Sequence, residues 1–158
     1  MSASLHQSDT SDREIVITRL LDAPRERVFE VWTDPRHSVH WWGPNGFTTT
    51  YRKVDVRPGG ISEFTMHGPD GRDYPNRVLY LEVEKPERLV YRHGSGENDP
   101  NEFLATVTFE AQGHKTLLTL RTVFKTAAAR DHVVKEHHAI EGGNQTLDRL
   151  QKYLSQLP

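Results

Sequence analysis

The chain has 158 residues, of which 35% are hydrophobic and 27% are charged, and its formal net charge is -2 at pH 7. This length suits one domain with one sizeable core, and the mean hydropathy of -0.70 indicates a polar surface. The balance of 20 basic and 22 acidic side chains leaves no bulk charge for nucleic acid or an anionic membrane, and the absence of cysteine excludes disulfides, thiolate catalysis and Cys-ligated zinc.

The first residues resemble neither a targeting segment nor a membrane span. Residues 1–12 are polar and lack periodicity, so we predict a disordered tail followed by a single domain over residues 13–158. The N-terminus has no basic segment followed by an apolar one, as a secretory signal would. No apolar run approaches the roughly 20 residues needed to span a bilayer. We therefore expect a cytoplasmic protein.

The domain is predicted to begin with a strand and two short helices. Residues 14–21 are rich in β-branched side chains, which favours a strand, and Pro24 suits the first turn of a helix. Apolar side chains at helical spacing mark the first helix: Val28, Phe29 and Trp32. Asp34-Pro35 ends it. The second short helix is predicted to carry three apolar residues: Val39, Trp41 and Trp42.

Residues 47–124 predict an antiparallel meander. Five turn sequences, most of them rich in Gly and Pro, separate the apolar runs: residues 57–60, 68–71, 85–88, 93–101 and 112–114. Apolar and polar side chains alternate along most runs, so one face of the sheet is predicted to be apolar and the other solvated. Residues 76–84 are apolar on both faces, which predicts a bulge or burial on both sides.

The C-terminal segment predicts one long helix with Thr126 as its N-cap. Its apolar stripe consists of Val133, Ile140, Leu147, Leu150, Leu154 and Leu157. Gly142 and Gly143 lie inside it, each costing about 1 kcal/mol relative to Ala. The economical packing lays this helix across the concave face of the sheet. Because the helix thins at the two glycines, we expect a cavity there, ringed by aromatic side chains.

A series of short motifs resembles a known family. The motifs are Asp22-Ala23-Pro24-Arg25-Glu26, Val28-Phe29-x-x-Trp32-Thr33-Asp34-Pro35, Trp41-Trp42-Gly43-Pro44, and the runs at residues 55–60, 68–71 and 85–90. Over residues 14–157 the chain resembles the bacterial branch of the START/Bet v1-like (SRPBCC) superfamily named after the C-terminal domain of the activator of Hsp90 ATPase (AHSA1). The resemblance implies an α+β helix-grip fold: a curved antiparallel sheet of about six or seven strands around a long C-terminal helix, with two short helices after the first strand.

The resemblance implies a cavity but no particular reaction, because the superfamily includes lipid carriers, hormone receptors, cyclases and oxygenase subunits. Members commonly carry a Gly-Trp pair in the last helix, where this chain has Gly142-Gly143-Asn144-Gln145. The missing indole implies a cavity that is larger or more polar at Asn144. We predict that the cavity is lined by twelve residues: Trp42, Phe64, Met66, Tyr80, Tyr91, Phe103, Ala105, Leu118, His137, Ile140, Gly143 and Asn144.

The sequence assigns no catalytic residue. His137 and Glu141, four apart, would suit general acid–base catalysis inside a pocket, with Tyr80, Tyr91 and His93 as further candidates if they face inward. The alternative, which we favour, is an ordinary surface pair. His37 and His40 share a helix face, but none of the nine histidines fits a metal-site motif. We predict no metal and no cofactor.

Three functions follow as hypotheses. The leading one is non-catalytic binding of a small hydrophobic or amphipathic molecule, since a cavity is predicted without a catalytic constellation. The second is a polyketide cyclase or dehydratase-type enzyme. The third, stimulation of an Hsp90-like ATPase as a chaperone partner, rests on the resemblance alone. Exposed sheet edges would also allow a homodimer.

Overall fold

The computed structural model describes residues 10–96 and 99–158. Its seven strands form one antiparallel sheet in the order β1-β7-β6-β5-β4-β3-β2. The strands are β1 Glu14–Leu21, β2 Thr48–Lys53, β3 Ile61–His67, β4 Asp73–Glu84, β5 Arg88–Gly94, β6 Phe103–Gln112 and β7 Lys115–Phe124. The helices are α1 Arg25–Thr33, α2 Pro35–Ser38, α3 Ala127–His137 and α4 Ala139–Gln156. The predicted α+β helix-grip fold is confirmed.

A bulge in β4 explains its mixed pattern. Tyr80 pairs with Tyr91 and Glu82 pairs with Val90, so Leu81 is the extra residue at the register shift. Leu81 is turned outward and is 39% exposed, whereas Tyr80 packs against the core. The inserted residue shifts the alternation by one. The bulge was one of the two explanations that the sequence predicted.

The core lies between the concave face of the sheet and the apolar faces of α1 and α4. The ring of Phe29 on α1 contacts that of Phe109 on β6, with centroids 5.2 Å apart. From α4, three leucines are buried against the sheet: Leu147, Leu150 and Leu154. Because truncating a buried leucine to alanine costs about 2–5 kcal/mol, these side chains anchor the C-terminal part of α4.

The second short helix is shorter than predicted. Asp34 caps α2 by accepting a hydrogen bond from the backbone N–H of Arg36, but the helix ends at Ser38. Trp41 and Trp42 therefore lie in the turn that follows. Trp41 is fully buried, and its indole N–H donates to the carbonyl oxygen of Val31 at 3.1 Å. The apolar spacing therefore indicated correctly that Trp41 is buried, but the helix predicted from that spacing is a turn at this point.

The predicted single C-terminal helix is two helices. Thr126 does cap α3, accepting from the N–H of Ala129. The chain then adopts the left-handed conformation at His138, with φ 51° and ψ 47°, and the N–H of His138 donates to the carbonyl oxygen of Val133. The break thus lies four residues before Gly142, and both glycines are inside α4. Apolar periodicity continued across the break, so the sequence pattern did not reveal it.

The described structure starts at Thr10, within the segment that the sequence predicts to be a disordered tail. Thr10 is buried, and its hydroxyl donates to the carboxylate of Glu14 at 2.7 Å while accepting from Arg121 at 2.6 Å. Ser11–Arg13 form a 3-10 helix. The rest of the predicted tail, residues 1–9, lies outside the described residues.

The helix break provides a test of the fold. A left-handed conformation costs a residue other than glycine about 1–2 kcal/mol, and the side chain of His138 is 79% exposed. We expect His138→Gly to change the free energy of unfolding by less than about 1 kcal/mol, because relief of strain offsets the greater entropy of unfolded glycine. His138→Val should lower it by about 2 kcal/mol, because a β-branched residue tolerates positive φ poorly. Urea denaturation of both variants measures the difference. Equal stability of the two variants would contradict the break.

Candidate ligand-binding site

A cavity of three adjoining chambers lies between the concave face of the sheet, the turn after α2 and the junction of α3 with α4. The outer chamber has a volume of about 720 Å³. The inner chamber, about 230 Å³, shares walls with it at Pro44, Met66, His93 and Phe103. An apolar extension of about 180 Å³ continues toward β1, ending at Ile15 and Ile17. The break at His138 and the thin part of α4 thus border an open space.

The outer chamber combines a largely apolar lining with several acidic residues. Its lining residues include Asp99, Glu136, Glu141, His137 and His138. Among the described residues, no Lys or Arg lines any of the three chambers. In the part of the chain that the structure describes, the mouth of the cavity therefore carries acidic residues and histidines but no Lys or Arg.

The inner chamber is walled largely by aromatic and aliphatic side chains. They come from α1, the turn after α2, and strands β3, β5, β6 and β7: Trp32, Trp42, Met66, Tyr91, Phe103 and Leu120. Gly142, Gly143 and Ala139 supply the helical side of the wall. Because these residues are small, the backbone of α4 itself borders the chamber.

One buried histidine interrupts this apolar wall. His93 is 8% exposed, and its ring lies 5.0 Å from that of Phe103 and 5.9 Å from that of Phe64. Its Nε2 is 2.7 Å from the amide oxygen of Asn76 on β4. Burial lowers the pKa of His93 to about 4, and the negative charge of Asp99 opposes that shift only in part. His93 is therefore neutral at physiological pH.

A small polar pocket of about 30 Å³ lies deeper in the fold, room for about one water molecule. The hydroxyls of Ser38 and Tyr51 are hydrogen-bonded in its wall at 2.6 Å. Burial raises the pKa of Tyr80 to about 12 and raises that of Tyr91 as well. Both tyrosines are thus neutral. This pocket is too small for an organic ligand.

The loop that forms one cavity wall is fastened to α4. The Arg149 guanidinium donates to the carbonyl oxygens of Trp42, Gly43 and Pro44, at 3.3, 2.8 and 2.9 Å. A Cβ at Gly142 would lie 3.4 Å from the ring of Pro44, so the helix and the loop are in close contact. These bonds hold the inner wall in place without exposing a charge to the chamber.

Most of the predicted lining residues border one of these spaces. Six line a chamber: Trp42, Met66, Tyr91, Phe103, His137 and Gly143. Phe64 and Tyr80 line only the small pocket, outside the three chambers. The structure places the others elsewhere. Ala105 and Leu118 are fully buried, so neither presents surface to a cavity. Ile140 is half-buried and packs against the core. Apolar periodicity predicted that these three side chains point inward. It could not predict whether they pack against other side chains or border an open space.

Asn144 also lies away from the cavity. Its amide N–H donates to the carbonyl oxygen of Ile140, and its amide oxygen accepts from Arg19 of β1 at 3.2 Å. The residue that takes the place of the usual tryptophan therefore does not make the cavity polar. Gly142 and Gly143, two and one positions earlier, are the ones that border the inner chamber.

Sequence reasoning missed several residues of the site. Asn76, Pro44 and Gly142 border chambers and were not among the predicted lining residues. Asn76 carried a usable signal, because it lies two residues before the buried Val78 and so shares its inward face. A polar residue at an inward position of a strand is expected to have a buried partner. His93 was considered only for proton transfer.

The histidine pairs predicted from spacing have other partners. Glu141 lies 3.9 Å from His138 and not beside His137, and both side chains of that pair are exposed. His37 bonds the hydroxyl of Tyr153 at 2.7 Å, and His40 stacks on the same ring. Among residues 10–96 and 99–158, no group of three or more His, Asp or Glu side chains is placed to hold a metal ion.

The fold and its cavity define the class: an antiparallel sheet closed by a long C-terminal helix, as in Bet v1-like domains. The sequence narrows this further, since residues 22–155 match the family model described as activator of Hsp90 ATPase homolog 1-like protein. The chain belongs to that family, and the resemblance found in the sequence is confirmed. Within the described part of the chain, no helix combines the length and hydropathy needed to cross a bilayer.

Solved structures share the fold over nearly the whole chain. Protein Ms6760 from Mycobacterium smegmatis is 25% identical, with 95% of each chain covered and a TM-score of 0.83. The AHSA1 protein from Silicibacter pomeroyi is 20% identical, with 90% of this chain and 97% of that one covered and a TM-score of 0.74. DynU16, from the dynemicin biosynthetic locus, is 19% identical, with 91% of this chain and 48% of that one covered and a TM-score of 0.68. No curated protein matches the sequence.

The buried histidine predicts a pH dependence of stability. The pKa of His93 is about 4 in the folded protein against 6.5 ordinarily, so below pH 6.5 the unfolded state binds a proton that the folded state does not. The free energy of unfolding therefore falls between pH 6.5 and 4, by on the order of 3 kcal/mol in total at about 1.4 kcal/mol per pKa unit. Above pH 6.5 this contribution is constant. Urea denaturation of wild type and His93→Phe at pH 7 and at pH 4 measures this contribution. If both proteins lose the same free energy of unfolding between the two pH values, the prediction is contradicted.

The fastened loop provides a further test. Hydrogen bonds to a charged donor contribute about 1.5–3 kcal/mol. We expect Arg149→Met to lower the free energy of unfolding by about 2 kcal/mol and to speed amide hydrogen exchange at Gly43 and Phe47. Lys152→Met removes a cation from an exposed position of the same helix and should change stability by less than about 0.5 kcal/mol. Similar losses in both variants would mean that the carbonyl contacts contribute nothing specific.

Proposed function

We propose that this chain binds a small hydrophobic or amphipathic molecule in the cavity between the sheet and the C-terminal helices. The single observation that supports this most is the series of adjoining chambers whose inner part is largely apolar and has the buried His93 in its wall, hydrogen-bonded to Asn76 of the outer chamber. Ligand sites typically have this composition: mostly apolar walls with a few placed polar groups, in a volume of about 300–1,000 Å³.

The two ends of the cavity suit the two ends of an amphipathic molecule. The apolar body would enter the inner chamber and the extension beyond it, where Leu120, Phe124 and Val133 form walls. Each buried methylene contributes about 0.8 kcal/mol, so a short hydrocarbon or an aromatic ring system would bind measurably. Its polar group would lie at His93 or in the outer chamber.

The family and its neighbours support a cavity-based role without naming a ligand. Members of the superfamily share the fold and not a reaction. The similarity to DynU16 is at 19% identity and concerns the fold alone.

A filling variant tests the proposal. Ala139 lines both the inner chamber and the extension, so Ala139→Leu places three additional carbon atoms there. The probe is N-phenyl-1-naphthylamine, an uncharged dye whose fluorescence rises in apolar surroundings. We expect saturable binding to wild type and at least fivefold weaker binding to Ala139→Leu, since the chamber offers only about 230 Å³.

The matched control is Ala128→Leu, the same change at an exposed position of α3, which should bind the dye as wild type does. Thermal unfolding of the three proteins checks that each is folded. Absence of saturable binding to wild type, or equal affinity in all three proteins, would overturn the proposal.

A further inference from the structure

The proton on His93 has a fixed position. The amide nitrogen of Asn76 donates to the carbonyl oxygen of Tyr74 at 2.9 Å, which directs the amide oxygen of Asn76 toward His93. An amide oxygen only accepts hydrogen bonds, so Nε2 of His93 must carry the hydrogen in the 2.7 Å contact. A neutral imidazole has one N–H only. Nδ1 of His93 is therefore a bare acceptor.

That acceptor is open to the cavity. Among the residues that the structure describes, the side chain of His93 makes one hydrogen bond, through Nε2, and Nδ1 has no partner. Yet within residues 10–96 and 99–158, no fully enclosed side-chain nitrogen or oxygen is left without a partner. Nδ1 must therefore retain accessible surface although the residue is 8% exposed. His93 lines both the outer and the inner chamber, so this surface faces the space where a ligand would lie.

The surroundings of His93 disfavour an anion. A carboxylate has only acceptors, so it would meet the lone pair of Nδ1 without a hydrogen between them. Asp99, Glu136 and Glu141 line the outer chamber, and no described Lys or Arg lines either chamber to balance a ligand's negative charge. An uncompensated buried anion is costly. The nearby cation of Arg149 is directed at backbone carbonyls.

The burial of this position disfavours a cation at this depth. The aromatic rings of Trp42, Phe64, Tyr91 and Phe103 surround the imidazole, with centroids between 5.0 and 6.3 Å away. Burial keeps His93 itself from taking a proton, although a carboxylate is near. An ammonium group placed beside it would be subject to the same loss of hydration. What remains is an uncharged group with a hydrogen to donate.

We propose that the cavity selects neutral ligands that carry a hydroxyl or phenol group, which donates a hydrogen bond to Nδ1 of His93, and that it discriminates against carboxylates. This inference rests on the proposed function and specifies its ligand class. Tyr91, two residues before His93 on β5 and on the same face, lines the inner chamber as well. The aromatic walls suit a flat ring beside the hydroxyl.

Three matched probes test the ligand class: 4-hexylphenol, 4-hexylanisole and 4-hexylbenzoate. The anisole keeps the ring, the chain and the oxygen of the phenol but loses the donated hydrogen. Isothermal titration of wild type at neutral pH should give about tenfold tighter binding of the phenol than of the anisole, as expected for one buried hydrogen bond. The benzoate should bind no more tightly than the anisole.

Two variants locate the effect. His93→Phe removes the acceptor and keeps an aromatic ring, so the phenol and the anisole should then bind equally. His114→Phe makes the same change in an exposed turn and should keep the tenfold preference. His93→Phe leaves the oxygen of Asn76 without its donor, which destabilises the fold. Nitrogen-15 spectra of wild type therefore provide an independent measurement. The Nδ1 resonance of His93 should move upfield with the phenol and stay in place with the anisole.

The outcomes separate the two proposals. If all three probes bind wild type equally, or if the phenol preference survives in folded His93→Phe, the role of His93 is overturned while ligand binding stands. If none of the probes binds, the proposed function fails, and the inference fails with it. A phenol preference that disappears only in His93→Phe, or an Nδ1 shift seen only with the phenol, supports the inference.

Discussion

A straight helix can follow a curved sheet closely along only part of its length, and the rest of this structure depends on where that contact is made. The C-terminal part of α4 holds three buried leucines against the core, Leu147, Leu150 and Leu154. Its N-terminal part carries Gly142 and Gly143 and borders the inner chamber instead. Contact at one end of the helix and space at the other are therefore two consequences of the same geometry.

The remaining walls follow from how that helix is connected. The left-handed residue His138 lets α3 take a different direction from α4, so the chamber is bordered from a second side. Arg149 and the contact of Gly142 with Pro44 hold the opposite loop against α4. A cavity in a protein is stable only when the elements around it are fixed by contacts elsewhere. Here those contacts are the leucine anchor and the fastened loop.

The polar centre of the cavity stands out because the surrounding wall is apolar. A buried imidazole without partners would cost several kcal/mol, on the order of 2–7 for an unpaired polar group. Asn76 satisfies one nitrogen of His93 and leaves the other facing the chamber. A half-satisfied polar group in an open cavity is a feature that a ligand can complete. Plain packing would have favoured another aromatic side chain at this position, since its neighbours are aromatic rings.

The sequence by itself determined the strands, the turns, the Thr126 cap and the inward face of each element, because alternation, helical spacing and turn residues are local signals. It also indicated the bulge in β4 and three side chains around the cavity: Trp42, Met66 and Phe103. Only the tertiary structure decided that the helix breaks at His138, that Asn144 turns to Arg19, and that Ala105 and Leu118 lie in closed core. The pairing of His93 with Asn76, 17 residues away on the neighbouring strand, was likewise decided there. The physical reason is that periodicity reports which side of an element is buried, whereas a cavity or a partner depends on how two distant surfaces meet.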